Sequence, residues 1–326
     1  MNSKSFLVLF HKKELLNFFG HHSVAQWRIG IDFGGTKIEI IVLRPDGTEA
    51  LRRRVANPRA YDEAIRTVTA LVEAAETETG HVCSVGVGIP GAISPFTGAV
   101  HNANSVWLND HRFDADLAAA LARPVRVEND ANCFALSEAS DGAAAGMRVV
   151  FGVILGTGCG GAIVVDGTLL AGLHRIGGEW GHNPLPWPTP DDLPYPACFC
   201  GNNGCIERYI AGPALAEDFF GAGEHDARAL PALAAGGDRG AAATLARHAD
   251  RVARALAQVI NFLDPDAVVI GGGLSNMDHL YTDVPPLLAR HVIAQRVVTP
   301  ILRNRHGDSS GVRGAAWLWP LESDPA

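Results

Sequence analysis

Three cysteines crowd together in Cys198-Phe199-Cys200-Gly201-Asn202-Asn203-Gly204-Cys205, and His182 precedes them. Thiolates and an imidazole are soft ligands, and a C-x-C pair with a third Cys close behind can bring four of them around one ion. Gly201 and Gly204 let the backbone fold tightly there. Three sulfurs and one nitrogen fill a tetrahedral shell and leave no position for water, so the expected metal is a structural Zn²⁺. Unpaired thiols and a redox switch are the alternative readings. Cys83, Cys133 and Cys159 stand alone among apolar or glycine neighbours and read as buried thiols.

A second chemistry is anion binding. Asp32-Phe33-Gly34-Gly35-Thr36-Lys37 places a glycine tip between two strand-like runs, where backbone N–H groups can converge on one spot. Asp32 would repel a bare triphosphate, and its place makes sense with Mg²⁺ or its water shell in between. Gly156-Thr157-Gly158 repeats the pattern in the second half. A single copy would read as a tight hairpin; two copies with an Asp suggest paired phosphate turns facing a cleft. Neither opens a helix, so a P-loop and a Rossmann fingerprint are both disfavoured.

A third candidate is Glu128-Asn129-Asp130-Ala131, at the end of a short strand and the start of a helix. Asp130 reads locally either as an N-cap carboxylate or as a general base for a hydroxyl proton. The amides of Asn102, Asn104 and Asn129 both donate and accept, which suits a polyhydroxylated ligand.

These groups need a frame. Residues 28–33, 38–43, 82–89, 148–155, 162–166 and 267–270 read as strands, and Pro45-Asp46-Gly47 is a hairpin signal. Ala64, Ile65, Val68, Leu71, Val72 and Ala75 recur at helical spacing in 61–79; further helices are expected over 241–263 and 310–319. The strand–glycine turn–strand unit occurs once in each half, which predicts a duplicated α/β lobe. The expected boundaries are an extension over 1–26, a small lobe over 27–132, a large lobe over 133–307 with a metal loop at 182–205, and a terminal helical segment over 308–326, returning to the first lobe.

The length of 326 residues suits two lobes better than one core. A net charge of −8 argues against nucleic-acid and anionic-membrane partners. No apolar run approaches the roughly 20 residues of a membrane span, and Phe6–Phe10 is too short for a secretory signal. A cytoplasmic location is expected.

Taken together these residues resemble a known family. The stretch Asp32–Lys37 resembles the phosphate-1 motif of the actin-like ATPase superfamily, Gly156-Thr157-Gly158 its phosphate-2 motif, and Gly271-Gly272-Gly273-Leu274-Ser275 its adenosine motif. The resemblance implies two ribonuclease-H-like lobes with MgATP in the cleft. Gly88-Ile89-Pro90-Gly91, Asn102-Ala103-Asn104, Glu128–Ala131, Gly178-Glu179-Trp180-Gly181-His182 and the cysteine cluster occur in the order of the ROK family, and the likeness spans about residues 28–320. It implies an ATP-dependent hexose kinase with Asp130 as general base. It further implies Asn104, Asn129, Glu179, His182 and Glu207 as sugar ligands. Asp32, Gly34, Gly35, Thr36, Lys37, Gly156, Thr157, Gly158, Gly272 and Gly273 would face MgATP. The zinc would be structural, with its His also presenting an edge to the sugar, and a homodimer is implied.

Within the family, Asn102–Asn109, Gly181–Trp187 and the tail His306–Pro320 are most like bacterial fructokinases, which implies fructose as acceptor. N-acetylhexosamine kinase, glucokinase and mannokinase are the alternatives. The sugar-responsive repressors of the family carry a winged helix ahead of the kinase-like part; the 26 residues of the extension are too short for one, so a repressor is not expected.

Overall fold

The computed structural model describes residues 26–103, 105–307 and 310–319. The expected extension over 1–26 falls outside this range apart from Gln26, as do Asn104, residues 308–309 and those after 319.

The first lobe opens with β1 (Arg28–Phe33), β2 (Lys37–Leu43) and β3 (Glu49–Ala56), a meander whose first two strands are almost wholly buried. Asp46 shapes the β2–β3 turn by accepting from the Thr48 backbone N–H at 2.9 Å. Helix α1 (Tyr61–Thr79) follows; it buries Ala64, Val68, Val72 and Ala75 on one stripe and ends at Gly80, whose φ of 73° suits a left-handed cap. Next come β4 (Ser84–Ile89), the small pair β5 (Ala92–Ile93) and β6 (Val100–His101), α2 (Phe113–Leu121) and β7 (Val125–Asn129). The sheet order is β3-β2-β1-β4-β7, with β1–β2 and β2–β3 antiparallel and β1–β4 and β4–β7 parallel.

Helix α3 (Asp130–Ser140) leads to β8 (Val149–Leu155), β9 (Cys159–Val165) and β10 (Thr168–Leu169). Helices α4 (Glu207–Ile210), α5 (Gly212–Phe220), α6 (Leu230–Ala235) and the long α7 (Arg239–Leu263) precede β11 (Ala267–Gly271). Helices α8 (His279–Thr282) and α9 (Val284–Leu288) and strand β12 (Ile301–Arg303) complete the lobe, and α10 (Ser310–Trp317) follows. The second sheet has the order β10-β9-β8-β11-β12 and repeats the first: antiparallel hairpins on one side, parallel strands on the other.

The two sheets have separate cores, one around Ile31, Ile40, Val68 and Val87, the other around Phe151, Leu256, Ile270 and Leu280. A third core joins α3 and α10 to β8, β9 and β11 through Cys133, Phe134, Val150, Ala162, Val269 and Ala315. Helix α3 runs unbroken through position 132, so the expected lobe boundary between 132 and 133 falls inside a helix rather than at a joint. Helix α10 lies on β1, β2, β4 and α3. The approach is so close that a Cβ on Gly30 or Gly86 would collide with the Val312 or Ala315 carbonyl. A glycine is required wherever a helix backbone rests directly on a strand in this way.

Candidate active site

Asp32 and Glu39 sit opposite one another on β1 and β2, directly below the Gly34-Gly35-Thr36 tip. Two neighbouring carboxylates repel, and the structure answers by neutralising one of them. Glu39 is almost wholly buried and accepts from Arg52 and Arg54 of β3. Burial alone would raise its pKa, but those arginines hold it below the usual range. Among the described residues Asp32 has no such ion pair. Burial first, then the nearby charges of Asp130 and Glu39, push it up to about 6. A carboxylate so placed gains from a cation, and one carboxylate plus phosphate oxygens is a common Mg²⁺ donor set. The hairpin is braced from outside by Asn57, which donates to the Gly34 carbonyl at 2.7 Å.

The second turn closes between β8 and β9, with the Gly156 N–H bonded to the Gly158 carbonyl at 3.0 Å. The third glycine run leaves β11 beside it. Gly272 has φ 80°, and a Cβ there would stand 2.5 Å from the Leu155 carbonyl oxygen, so this chain reversal packs against the strand that carries the second turn. Ser275 donates to the Gly272 carbonyl at 2.7 Å and holds the reversal.

Asp130 is the first residue of α3, and the helix cap is Asn129 rather than Asp130. The Asn129 side chain accepts from the Ala131 N–H at 2.8 Å and donates to the Gly91 carbonyl at 3.0 Å. It thereby ties the helix start to the turn after β4. The Asp130 carboxylate also accepts from the Ala131 N–H, at 2.8 Å. Burial dominates and raises its pKa, with Glu179 adding to the rise and the Ala131 N–H opposing it. Glu179 acts on Asp130 and Asp130 on Asp32, so the three carboxyl groups lie in one neighbourhood.

Glu179 precedes and His182 ends a single 3-10 turn, Trp180–His182, which Trp180 locks by donating its indole N–H to the Gly160 carbonyl at 3.1 Å. His182 turns Nδ1 toward Cys198 Sγ at 3.6 Å, and Cys200 Sγ lies 3.6 Å from Cys205 Sγ. All four donor atoms lie within 4.8 Å of one another. A tetrahedral ion with bonds of about 2.3 Å to sulfur separates its ligands by about 3.7 Å, so the donor set fits zinc in both chemistry and spacing. With Nδ1 committed to the cluster, Nε2 is the ring nitrogen left for other work. Glu207 begins α4 two residues after Cys205, and one of its oxygens accepts from the Cys159 N–H at 2.9 Å.

Sequence reasoning missed several groups around this site. Glu128 pairs with Arg175 at 3.2 Å and accepts from Asn132 at 2.9 Å. Buried Glu138 accepts from the backbone of Ala143 and Arg305 and from the Ser310 hydroxyl, which fastens α3 to the start of α10. Asp192 binds Arg251 and Arg254 of α7 at 2.9 and 3.0 Å and anchors the segment ahead of the three cysteines. Each pairs residues far apart in sequence, so no local spacing announces it.

Two five-stranded sheets of the same topology, each opening on an antiparallel hairpin with a glycine turn, define an actin-like ATPase fold. A family model described as "ROK family" matches residues 28–322, and the chain belongs to the ROK family. It is 40% identical over 296 residues to an N-acetyl-D-glucosamine kinase of Yersinia pseudotuberculosis, covering 89% of this chain and 97% of that protein. The ROK hexokinase of Thermus thermophilus superposes with a TM-score of 0.79 at 31% identity, over 90% of this chain and 97% of that one. A ROK family glucokinase from Streptomyces griseus, in complex with glucose and AMPPNP, gives 0.69 at 28% identity, over 90% and 98%. The chain is an ATP-dependent sugar kinase of this family. No helix among the described residues is long and apolar enough to cross a membrane.

Proposed function

We propose that this kinase transfers the γ-phosphoryl group of MgATP to the 6-hydroxyl of an N-acetylated hexosamine, with N-acetyl-D-glucosamine as the preferred acceptor. The observation that carries this reading is the 40% identity, over nearly the whole of both chains, to a protein named for that substrate. The fructose expectation drawn from Asn102–Asn109, Gly181–Trp187 and the tail gives way to it, because those stretches occur in a chain whose relatives bear N-acetyl-D-glucosamine kinase names. Glucose is the second reading, favoured by the likeness to the glucose-bound Streptomyces griseus enzyme.

In the proposed step Asp130 accepts the proton of the sugar hydroxyl as its oxygen bonds to the γ-phosphorus and the bond to the β-phosphate oxygen breaks, releasing ADP. A raised pKa suits a base that must accept a proton near neutral pH. Asp32 would hold Mg²⁺, which neutralises charge on the phosphates. The two glycine turns would cradle those phosphates, and Gly272 and Gly273 would face the adenosine. Glu179, His182 through Nε2, Asn129, Asn104 and Glu207 would orient the sugar. Zinc at His182, Cys198, Cys200 and Cys205 would fix the loop that bears two of these groups.

The test is a coupled assay over N-acetyl-D-glucosamine, N-acetyl-D-mannosamine, glucose, mannose and fructose. The expected outcome is the highest kcat/KM for N-acetyl-D-glucosamine. A tenfold preference for glucose or fructose would overturn the assignment.

A further inference from the structure

The short segment from the last cysteine of the metal cluster to the start of helix α5 touches the second glycine turn at several points. Glu207 accepts from the Cys159 N–H at 2.9 Å, just past the second glycine turn. Its carboxylate rests so closely on the turn that a Cβ on Gly158 would stand 2.7 Å from Oε2. Five residues on, the Gly212 N–H donates to the Gly156 carbonyl at 2.8 Å, and a Cβ on Gly212 would lie 3.0 Å from that oxygen and 3.9 Å from Leu274 of the third glycine run. Both ends of the Gly156-Thr157-Gly158 turn are therefore gripped by residues 207–212.

The grip has a rigid back. The Ile206 N–H donates to the Asn183 carbonyl at 2.8 Å, next to metal-cluster His182. On the far side the Ile210 carbonyl takes a 3.0 Å bond from His248 Nε2 of α7. Cys205 itself is buried and pairs with Pro184 through a β-bridge. A hairpin turn rich in glycine has many conformations of similar energy, and external bonds select one of them.

We propose that the Cys205–Gly212 segment is the scaffold of the second phosphate turn, and that Glu207 is a positioning residue for the nucleotide in addition to any contact with the sugar. By this arrangement the Cys159 N–H is satisfied within the protein, and the amides of Thr157 and Gly158 are held at a fixed angle to the cleft. The metal cluster then sets the geometry of both substrate sites through one short stretch of chain. The proposal rests on the reading of Gly156–Gly158 as a phosphate turn.

The experiment is calorimetric titration of the full chain with a non-hydrolysable MgATP analogue, in the absence of sugar, with circular dichroism to confirm folding. Glu207→Ala should bind the analogue about tenfold more weakly, or about 1.4 kcal/mol. Glu207→Gln should stay within about twofold of wild type, because its amide oxygen can still accept from Cys159. Gly158→Ala should also weaken binding, but should cost less when added to Glu207→Ala than to wild type, since the collision is with the carboxylate. A folded Glu207→Ala protein with wild-type analogue affinity overturns the proposal, as does strict additivity of the two alanine changes. Should Glu207→Ala fail to fold, a Gly158→Ala protein that binds normally overturns it, and one that binds weakly beside a near-normal Glu207→Gln supports it. Wild-type protein that does not bind the analogue at all would instead sink the phosphate-turn reading, and the proposal with it.

Discussion

Arg175, in the loop that leads from β10 to Glu179, meets the carboxylate of Glu128 on the edge strand of the other lobe at 3.2 Å. Glu128 lies two residues before Asp130, and its second oxygen accepts from Asn132 in the first turn of α3. The pair thus links the loop bearing a proposed sugar ligand to the start of the proposed catalytic helix. Phe96 of the first lobe packs against His174 of the same loop, with ring centroids 5.9 Å apart.

Loss of that link should be felt in sugar binding more than in chemistry. The Arg175 side chain is partly exposed, and ion pairs of this kind contribute about 0.2–1 kcal/mol. Arg175→Ala should therefore raise the sugar KM by up to about fivefold, with kcat changed less than about twofold. Screening should reduce the difference between variant and wild type at high salt. Steady-state kinetics at low and high ionic strength checks this; a large fall in kcat at constant KM would contradict it.

Asp130→Asn keeps the shape of the side chain and its contact with the Ala131 N–H, but cannot take a proton. A fall in kcat of at least about 100-fold is expected, with sugar affinity little changed. In wild type, kcat should decline toward acid pH as the carboxylate is protonated. That limb should be missing from the residual activity of the variant. Near-wild-type turnover in Asp130→Asn would remove Asp130 from the role of base.

Much of this was legible in the residues themselves, for reasons that are local. A glycine tip between apolar strands, a carboxylate at a helix start and a C-x-C cluster each express their chemistry over a few positions. The duplicated sheets followed from the repeated strand–turn–strand unit. What stayed hidden was the partnering. Arg175 reads as a loop cation until the fold puts Glu128 beside it. Glu138 reads as an ordinary helical glutamate, yet it is fully buried and binds residues more than 160 positions away. The choice of sugar was not legible, because acceptors that differ in hydroxyl placement or in one acetamide leave no distinct spacing in the chain.

Asp32 supplies a stability test with a definite sign. Its pKa in the fold is raised to about 6 by burial and by Asp130 and Glu39. A group raised on folding adds stability that is fully present below its unfolded value, near 3.9, and is lost as pH rises through the folded value. Ionised Asp32 therefore strains the nucleotide-free protein above about pH 6. Asp32→Asn should raise the melting temperature relative to wild type at pH 8, and by less at pH 5. The same variant should lose most of the stabilisation that MgATP gives wild type, since the proposed Mg²⁺ contact is gone. Equal shifts at both pH values would refute the raised pKa.

The metal cluster offers the last test, because the structure separates what the metal holds from what is held without it. The segment before the cysteines is fixed independently. Asp192 is buried against Arg251 and Arg254, the Tyr209 hydroxyl donates to the Asp192 carbonyl at 2.9 Å, and burial is outweighed by the Thr189 N–H and the two arginines, which bring Asp192 down to about 2. The cysteine turn has fewer ties of its own: a β-bridge between Ala197 and Asn203 and backbone bonds such as Cys198 to Asn202. Closed zinc sites in small peptides contribute about 10 kcal/mol or more to folding. Removing the ion should therefore loosen residues 196–205 while the region around Asp192 and α7 keeps its structure. Elemental analysis should find one zinc per chain. In Cys200→Ala, hydrogen exchange should rise across 196–205 and through Glu207, with a lower melting temperature and weaker binding of both sugar and nucleotide analogue. Exchange around Arg251 should be unchanged. Metal-free wild-type protein with full activity and an unaltered melting temperature would show that the four donors do not form a zinc site.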